Sequence, residues 1–391
     1  MKVAFVSNFF SHHQEPFADA MNRMENVQFN FVATQPISEE RLKMGWRDSE
    51  KEYIVYAYRS GDGKAHAMDL TFNADVTIIG SAPDEYIIPR LRKKKLTFRY
   101  SERFYKQGLN SQNIFHETGK ALLHHSRFQA YPLYMLCASA YTAADAAIFH
   151  NYINRTYKWG YFVEAKHYDF VDLMDKKQGL KHPRASILWA GRLIGWKHPD
   201  ASIHLAETLK RQGYQFKLTI IGSGAMEQDL HRMISEKGLE DCVEMLGAMS
   251  SERVREYMEK ADIFLFTSDF NEGWGAVLNE SMNSGCAVVA SHAIGAVPYL
   301  MRHKENGLIY HSGNVDELYE NVKYLLDNPA EQERLGRAAY ETIVGEWNAE
   351  TAAERLVALS QRILDGDKQP DLFETGPCSR AEIIENDWFH L

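Results

Sequence analysis

Short apolar runs rich in Val, Ile, Phe and Leu alternate with segments of helical periodicity along nearly the whole chain. The runs are continuous rather than alternating, which is typical of strands buried on both faces of a parallel sheet. Their alternation with helices predicts an α/β fold with helical crossovers. The predicted strands are Val3–Ser7, Phe29–Ala33, Val76–Gly80, Ala146–His150, Ile187–Ala190, Leu218–Gly222, Ile263–Thr267, Ala287–Ala290 and Leu308–Tyr310.

The alternation is interrupted once, in a charged stretch that runs from about Tyr168 to Arg184. A fresh series of strand, loop and helix starts at Ser186. We therefore predict an interdomain connection here, between two doubly wound, Rossmann-like domains that face each other across a cleft, residues 1–170 and 185–345. In open parallel sheets, ligands bind at the carboxyl ends of the strands, so the informative side chains are expected just after strands.

Composition narrows the class of protein. The chain has 391 residues, 45% hydrophobic and 25% charged, and a net charge of −9. This is ordinary for a globular protein, and the acidity argues against general nucleic-acid binding. The four cysteines form no Cys-x-x-Cys pair, which indicates a reducing compartment. The N-terminus is unlike a signal peptide, and the apolar stretch Tyr134–Phe149 is too short to span a bilayer, so we expect a cytoplasmic protein.

The loop after the predicted strand 187–190 carries two cations, Arg192 and Lys197, in a run that starts at Gly191. Arginine offers a planar fork of donors and lysine a compact charge, so together they suit a diphosphate. The next predicted strand ends in Gly222, which opens a Gly-x-Gly turn where the backbone can approach a phosphate closely. Taken alone, these patterns are also those of solvated surface cations and an ordinary turn.

After the predicted strand 263–267, Glu272 precedes a Gly-Trp-Gly run, and Glu280 lies eight residues further along a predicted helix that ends near Gly285. If that interval were helical it would rise about 12 Å, whereas a retaining glycosidase needs its two carboxylates about 5 Å apart. The spacing therefore predicts two separate acceptors of hydroxyl groups rather than a hydrolytic pair. Glu280 alone also suits a solvated helix position.

Further small-residue segments follow the later strands in the same relative place. The ordered series consists of Gly191, Arg192 and Lys197, then Ile221–Gly224, then Glu272–Gly275 with Glu280, then Gly285–Ala290, Gly295 and Pro298, and finally Asn306–Leu308. This series resembles the donor half of the retaining family 4 glycosyltransferases of the group 1 type, which have the GT-B fold. The resemblance covers about residues 187–310 and extends loosely to Trp347. It implies that residues 346–391 form a C-terminal helix and tail that return toward the first domain.

The resemblance implies a role for each matching residue. Arg192 and Lys197 would bind the donor diphosphate and stabilise it as it leaves, and Glu272 would face the transferred sugar. Backbone amides of residues 273–275 would assist, and Glu280 would accept from the ribose hydroxyls. The implied donor-binding set is Gly191, Gly222, Met245, Leu246, Gly273, Trp274, Gly275 and Glu280. The family holds its donor without a dedicated metal, and the chain has no Asp-x-Asp after a strand, so we expect neither a metal nor a cofactor.

The loop after the first strand carries His12 and His13 and leads to Pro16, which suits the first turn of a helix. Many members of the family have a glycine-rich loop here, so this departure leaves a backbone–phosphate contact by the loop unsupported. We expect His13 to hydrogen-bond the donor or to orient the acceptor hydroxyl; a packed or solvated histidine is the alternative. The Asn-Phe-Phe-x-His-His-Gln run and the aromatic segment 157–162 resemble bacterial transferases that assemble capsular or other surface polysaccharides.

One dense basic run stands out in this acidic chain. It comprises Arg90, Arg92, Lys93, Lys94 and Lys95, with Arg99 and Arg103 nearby. Surface-polysaccharide intermediates are usually carried on lipid diphosphates, so the run predicts peripheral contact with the anionic inner face of a membrane. A solvated helix end is the alternative.

The expected activity is retaining, metal-independent, hexosyltransferase-type transfer of a sugar from a nucleotide-diphosphate sugar, by default a UDP-sugar. The acceptor would be a hydroxyl of a glycan or lipid-linked saccharide in surface polysaccharide biosynthesis. Two alternatives are a sugar-nucleotide epimerase of the same fold and a non-catalytic partner subunit of a transferase. The presence of Arg192, Lys197, Glu272 and Glu280 argues against the second alternative.

Overall fold

Two separate parallel sheets organise the chain. The computed structural model describes residues 1–43, 47–106, 108–179 and 185–390. Unit 1 comprises Met1–Glu164 and Trp347–Trp388, and unit 2 comprises Ala165–Glu346 with the residues from Phe389 onward. The chain thus enters unit 2 shortly before the predicted connection at 168–184. Most of that stretch forms a helix of unit 2, and its residues 180–184 lie outside the described residues.

The sheet of unit 1 has seven strands among the described residues. They are β1 (Lys2–Ser7), β2 (Gln28–Ala33), β3 (Ile54–Tyr56), β4 (Val76–Ile79), β5 (Thr97–Ser101), β6 (Leu133–Cys137) and β7 (Thr156–Lys158). All neighbours are parallel, in the order β3-β2-β1-β4-β5-β6-β7. In β1, which has a neighbour on each side, Val6 pairs with Val32 of β2 and with Ile79 of β4, and all three side chains are buried.

The helices of unit 1 cover both faces of this sheet, as parallel connections require. They are α1 (Glu15–Arg23), α2 (Glu39–Lys43), α3 (Gly63–Asn73), α4 (Ile88–Arg92), α5 (Ile114–His124), α6 (Thr142–Ala147) and, from the C-terminal segment, α15 (Ala349–Leu364). Helix α1 has Pro16 in its first turn, as predicted, and packs against α15. The aromatic core here includes Phe17 against Trp159, with ring centroids 5.2 Å apart, and Phe162 stacked on Trp347.

Unit 2 repeats the same plan with six strands among the described residues. Its strands are β8 (Ala185–Ala190), β9 (Phe216–Ile221), β10 (Val243–Met245), β11 (Ile263–Phe266), β12 (Ala287–Ser291) and β13 (Leu308–Tyr310). They are parallel in the order β10-β9-β8-β11-β12-β13. Every residue of β11 and β12 is buried, which confirms the prediction of strands covered on both faces.

The described helices of unit 2 follow its strands in alternation. They are α7 (Phe170–Gly179), α8 (Pro199–Arg211), α9 (Glu227–Glu236), α10 (Ser251–Met258), α11 (Val277–Asn283), α12 (Val297–Leu300), α13 (Val315–Asp327) and α14 (Pro329–Gly345). Helix α11 ends where the sequence predicted, because Gly285 adopts the left-handed conformation, with φ +65°, shortly after it.

One predicted strand is wrong. Residues 146–150 do not form a strand: they include the end of α6 and a turn in which His150 has a φ of +53°. The alanines of α6 pack against the sheet, so an apolar run that resembles a buried strand is the buried face of a short helix. The strand in this region is β6, which starts at Leu133, thirteen residues before Ala146. The prediction also missed β3, β5 and β7.

In both units the strand order reverses once, between β1 and β4 and between β8 and β11. The helices connected to the strands on the two sides of such a point lie on opposite faces, so a crevice opens at the carboxyl ends of the two strands. The loops after β1 and β4 in unit 1, and after β8 and β11 in unit 2, are therefore the positions where a ligand is expected.

Candidate functional site

The loops at the reversal point of unit 2 are held together by backbone hydrogen bonds. The amide of Gly191 donates to Ile221 O (3.0 Å), and the amide of Leu193 donates to Ser223 O (2.9 Å). These bonds bring the loop after β8 against the loop after β9. At Gly222, where φ is +146°, an added Cβ would lie 1.8 Å from Gly191 O, so glycine is required for this approach.

Lys197 and Glu272 meet at this point. The Lys197 ammonium forms an ion pair with the Glu272 carboxylate, and each side chain is only 12% exposed. Ser268 Oγ donates to the same carboxylate (3.0 Å). The hydroxyl of Thr267 donates to Lys197 O (2.7 Å), which ties the end of β11 to the short 3₁₀ turn that carries the lysine. The structure therefore brings two of the predicted catalytic residues into direct contact.

Arg192 lies beside this pair and is exposed. Within the described residues it forms no ion pair, and its guanidinium carbon lies 5.6 Å from the centre of the Trp196 ring. The same ring lies 4.8 Å from Lys197 Nζ. A single aromatic face thus contacts both cations, which restrains their side chains while the charge of Arg192 stays available to an anion.

Glu280 lies on α11 and has a different environment from Glu272. Its carboxyl accepts no hydrogen bond from the described residues. Burial raises the pKa of Glu280 to about 7, and the nearby Arg255 opposes this shift only in part. Arg255 itself is buried and donates to Asn283 Oδ1. A carboxyl that is desolvated but has no donor is a site where incoming hydroxyl groups would restore the lost hydrogen bonds.

The Gly-Trp-Gly run between the two glutamates is buried. The Trp274 side chain is part of the core, and its Nε1 donates to Asn279 Oδ1 (2.9 Å). Any contact of Trp274 with a ligand therefore depends on its backbone. Gly275 has a φ of +91°, and an added Cβ would lie 2.4 Å from the Phe266 ring and 3.2 Å from Glu272 Cγ, so this glycine lets the chain pass close behind Glu272. Gly273, the first residue of the run, is buried as well.

Met245 and Leu246, which the sequence predicted beside the nucleobase, lie at the end of β10. Met245 is the last residue of the strand, and Leu246 follows it with its amide donating to Ile220 O (3.0 Å). Gly222 N donates to Gly247 O (2.8 Å), which joins this segment to the loop after β9. The segment is partly exposed, so it can form one wall of a ligand site in unit 2.

His13 lies on the loop after β1, at the reversal point of unit 1. Burial lowers the pKa of His13 to about 3, with further contributions from His12 and Arg41. Its ring stacks on Tyr161, with centroids 5.8 Å apart and planes 11° apart. The imidazole is therefore neutral at physiological pH, and it can orient a hydroxyl but cannot serve as a cationic acid.

The structure corrects the assignment of Arg90 to a membrane-facing patch. Arg90 is fully buried, and its guanidinium donates to the carbonyl oxygens of Thr71, Ala74 and Leu96. Burial lowers its pKa to about 10. Lys95 is only partly exposed, and its ammonium also donates to a carbonyl oxygen of α3. Both side chains therefore hold α3, α4 and β5 together.

The two arginines that follow the run are internal as well. Arg99 pairs with Asp84 (2.8 Å) and Arg103 with Asp145 (3.1 Å), and all four side chains are less than a tenth exposed. The exposed cations of the run are Arg92, Lys93 and Lys94. The predicted membrane contact therefore depends on these three side chains.

Unit 1 also contains a cavity of about 600 Å³ that the sequence did not reveal. It lies at the carboxyl ends of β4 and β5, and its wall includes Arg41, Glu102, Arg103 and Tyr161. The strand β5 was missed because Arg99 interrupts its apolar pattern, so the residues after it were not recognised as positions at the end of a strand. The alternation of apolar and polar positions from residue 96 to residue 100 was the available signal.

The part of the chain that the structure describes contains neither a membrane-spanning helix nor a cluster of metal-ligating side chains. No helix there is both long and apolar enough to cross a membrane. No group of three or more His, Cys, Asp or Glu side chains in those ranges is arranged to hold a metal ion.

Comparison with known proteins places unit 2 in a sequence family. Residues 171–342 match the family model described as glycosyl transferases group 1. The amylovoran biosynthesis glycosyltransferase AmsK of Erwinia amylovora is 32% identical over 187 residues, 46% of this chain and 46% of AmsK. The alpha-D-kanosaminyltransferase of Streptomyces kanamyceticus is 27% identical over 180 residues, again 46% of each chain. The chain therefore spans about half the length of these relatives.

Solved structures extend the likeness to the whole chain. The crystal structure of Anabaena HepE in complex with UDP matches with a TM-score of 0.66 and 15% sequence identity, covering 93% of this chain and 99% of HepE. At that identity the match establishes the fold, which is GT-B with its two parallel sheets. The ordered loops of unit 2 and the match over residues 171–342 place this part of the chain among the glycosyl transferases group 1, family 4 of the glycosyltransferases.

Proposed function

We propose that the protein is a retaining glycosyltransferase that moves a sugar from a nucleotide-diphosphate sugar to a hydroxyl of a glycan or lipid-linked saccharide. The observation that carries the proposal is the ion pair between Lys197 and Glu272 at the reversal point of unit 2, beside which Arg192 forms no ion pair with any of the described residues. Family membership supports the same reaction class.

Arg192 and Lys197 are proposed to bind the diphosphate of the donor. An anion that enters the site competes with Glu272 for the Lys197 ammonium, and it meets the unpaired guanidinium of Arg192. Charge-assisted bonds to phosphate are about twice as strong as neutral ones. The binding of the diphosphate would then release Glu272 from its ion pair, so that its carboxylate can accept hydrogen bonds from the sugar.

Glu280 is proposed to accept hydrogen bonds from the two ribose hydroxyls. In the unliganded protein its carboxyl is desolvated and half-protonated near neutral pH, because its pKa is about 7. Hydroxyl donors stabilise the carboxylate form and should lower that pKa. The segment of Met245 and Leu246 is proposed to lie beside the base, while the backbone of Gly191, Gly222 and residues 273–275 lines the phosphates and the sugar.

In the proposed reaction the acceptor oxygen forms a bond to the anomeric carbon on the face from which the diphosphate departs. The bond between that carbon and the diphosphate oxygen breaks, and the departing phosphate takes the acceptor proton, so atoms and charge balance. Catalysis is then mainly positioning and stabilisation of the leaving group by Arg192 and Lys197. A neutral His13 is proposed to orient the acceptor hydroxyl.

A UDP-sugar is the proposed donor, and surface polysaccharide assembly is the proposed pathway. HepE, which has the same fold, was crystallised with UDP, and AmsK acts in amylovoran biosynthesis, as their names state. These names motivate the choice of substrates for the first assays.

The test is transfer by the full-length protein, followed by proton NMR of the anomeric signals. We expect a donor-dependent product with the donor's anomeric configuration, and no conversion of the donor when it is incubated alone. The variants Arg192→Ala and Lys197→Ala should each lower kcat by about a hundredfold or more, in the range of lost oxyanion donors. Arg192→Ala should change the free energy of unfolding little, whereas Lys197→Ala should also lower it, because the Glu272 carboxylate loses its ion-pair partner. Arg232→Ala, at an exposed arginine on α9, is the control.

Inversion at the anomeric carbon would contradict the proposed stereochemistry. Epimerisation of the donor alone would favour the epimerase alternative. Unchanged turnover in both variants would remove Arg192 and Lys197 from the mechanism, and failure of wild-type protein to bind any nucleoside diphosphate would leave only a non-catalytic role.

A further inference from the structure

We propose that the cavity of unit 1 binds a negatively charged group, a carboxylate or a phosphate, carried by the acceptor saccharide. The proposal rests on the transferase function above and specifies the class of its acceptor. The cavity has a volume of about 600 Å³, within the range of roughly 300–1,000 Å³ that is usual for small-molecule sites.

The charge of the wall is the first argument. Five cationic side chains and two carboxylates line the cavity, whereas the chain as a whole has a net charge of −9. The cations are Arg41, Arg99, Arg103, Lys106 and Lys120, and the carboxylates are Glu102 and Glu117. Asp84 and Asp145 pair with two of these arginines, so the cations of the cavity exceed its carboxylates by one. A low-dielectric concavity with an excess of cations concentrates anions.

The two groups of cations differ in mobility. Arg99 and Arg103 are held by buried ion pairs with Asp84 and Asp145, so their positions are fixed and their charges are neutralised. Lys106 pairs with Glu102, and the lysine is 37% exposed. Lys120 pairs with Glu117 and is 53% exposed. Ion pairs with this exposure stabilise a protein by only about 0–1 kcal/mol, so both lysines can exchange their partner for a ligand at little cost.

The aromatic part of the wall is the second argument. Tyr100, Phe104 and Tyr161 line the cavity, which supplies flat apolar surface for the faces of a sugar ring. Tyr161 OH donates to Glu102 Oε1 (2.6 Å), so the carboxylate that pairs with Lys106 is already engaged by a second donor. A site with aromatic faces and basic side chains fits a charged sugar better than a free inorganic ion.

The position of the cavity is the third argument. Tyr161, which lines it, stacks on His13, and Arg41, which also lines it, is close enough to lower the pKa of His13. His13 is the residue proposed to orient the acceptor hydroxyl. A saccharide whose reacting hydroxyl lies at His13 would therefore extend its remaining groups into the basic cavity.

The test measures binding of three small probes to the full-length protein saturated with UDP, which occupies the diphosphate site of unit 2. The probes are glucuronate, glucose 6-phosphate and glucose, followed by ligand-observed NMR. We expect at least one charged sugar to bind about tenfold more tightly than glucose, and the difference to shrink with added salt because the charges are screened. The tighter of the two charged probes identifies the source of the charge as a uronic acid or a sugar phosphate.

The double variant Lys106→Glu with Lys120→Glu should lose about tenfold or more of the affinity for the charged probe and should bind glucose as before. If its thermal unfolding differs from that of the wild type, the pair Lys106→Gln with Lys120→Gln replaces it. Lys64→Glu is the matched control, since Lys64 forms an ion pair with Glu85, is 54% exposed and does not line the cavity.

Equal binding of glucose and both charged probes would overturn the proposal, and so would unchanged affinity in both double variants or the absence of binding by any probe. UDP binding, measured separately, distinguishes this failure from that of the proposed function. If UDP binds and the charged sugars do not, only the inference about the cavity fails. If neither UDP nor any other nucleoside diphosphate binds, the transferase proposal itself fails.

Discussion

Replacing Glu280 by Gln removes a charge from a half-buried carboxyl and nearly preserves its shape. Burial raises the pKa of Glu280 from 4.5 to about 7, a difference that corresponds to about 3 kcal/mol. Because the folded-state pKa is the higher one, the contribution of Glu280 to the free energy of unfolding is greatest below pH 4.5. This contribution decreases as the pH rises from 4.5 to about 7, and its lower value stays constant above pH 7.

The unliganded Glu280→Gln variant should therefore be more stable than the wild type at pH 8, by up to about 3 kcal/mol. The two proteins should converge near pH 4.5. Urea unfolding at both pH values measures the difference. Glu236→Gln, at an exposed glutamate on α9, is the control and should change the free energy of unfolding at neither pH.

Donor binding should be stronger at high pH, because the ribose hydroxyls donate to the carboxylate form of Glu280. The affinity of the wild type should rise about tenfold per pH unit below pH 7 and level off above it, so that binding at pH 5.5 is about thirtyfold weaker than at pH 8. Glu280→Gln should bind more weakly than the wild type at pH 8 and show no such rise. UDP-glucose is the right probe because its phosphates, unlike the terminal phosphate of UDP, do not titrate near pH 6.

Calorimetry in buffers of different ionisation enthalpy provides the direct assay. At pH 7 the wild type should release about half a proton on binding UDP-glucose, because about half of the Glu280 carboxyls are protonated when the pKa is about 7. The Gln variant should release none. If the two proteins showed the same proton release and the same pH profile, Glu280 would not be the ribose acceptor, and a Gln variant less stable than the wild type at pH 8 would refute the effect assigned to burial.

Two further predictions concern backbone geometry and membrane contact. Gly222→Ala should destabilise the protein by more than about 3 kcal/mol in urea unfolding and weaken UDP binding, because the new Cβ overlaps Gly191 O. Gly195→Ala is the control and should change stability little, because the space around its Cβ is open. An equally small effect of Gly222→Ala would contradict this geometry. Reversing the three exposed charges at 92–94 should weaken co-sedimentation with anionic vesicles relative to the wild type and to Lys64→Glu, and equal co-sedimentation of all three would exclude the membrane contact.

The order of motifs after the strands of unit 2 could be read from the sequence because each motif follows a strongly apolar run. Arg192, Lys197 and Glu272 are polar residues directly after buried strands, and the carboxyl ends of parallel strands meet at one edge of a sheet. The same logic failed in unit 1 where a strand contains an internal charge. Arg99 lies within β5, and its charge is neutralised by Asp84, which is distant in sequence.

Local sequence also could not distinguish surface from interior for the charged and aromatic residues. Arg90 has the sequence context of a solvated helix end, yet the carbonyl oxygens of Thr71, Ala74 and Leu96 accept hydrogen bonds from its guanidinium inside the protein. Trp274 stands between two glycines in a run that the sequence predicts to bind the donor, and its ring is nevertheless part of the core. Whether such charged and aromatic side chains are buried therefore depends on the groups that the fold places around them.

The sequence by itself determined the fold class and the residues that surround the proposed donor site, because strand periodicity, glycine positions and the order of motifs are local properties of the chain. Only the tertiary structure decided how those residues interact. It pairs Lys197 with Glu272, and it desolvates the Glu280 carboxyl, to which none of the described residues donates a hydrogen bond. It also assembles the cavity of unit 1 from α2, α5 and the ends of two strands. The physical reason is that desolvation and ion pairing depend on groups far apart in sequence, so the charge state of Glu280 or His13 is set by the folded environment rather than by neighbouring residues.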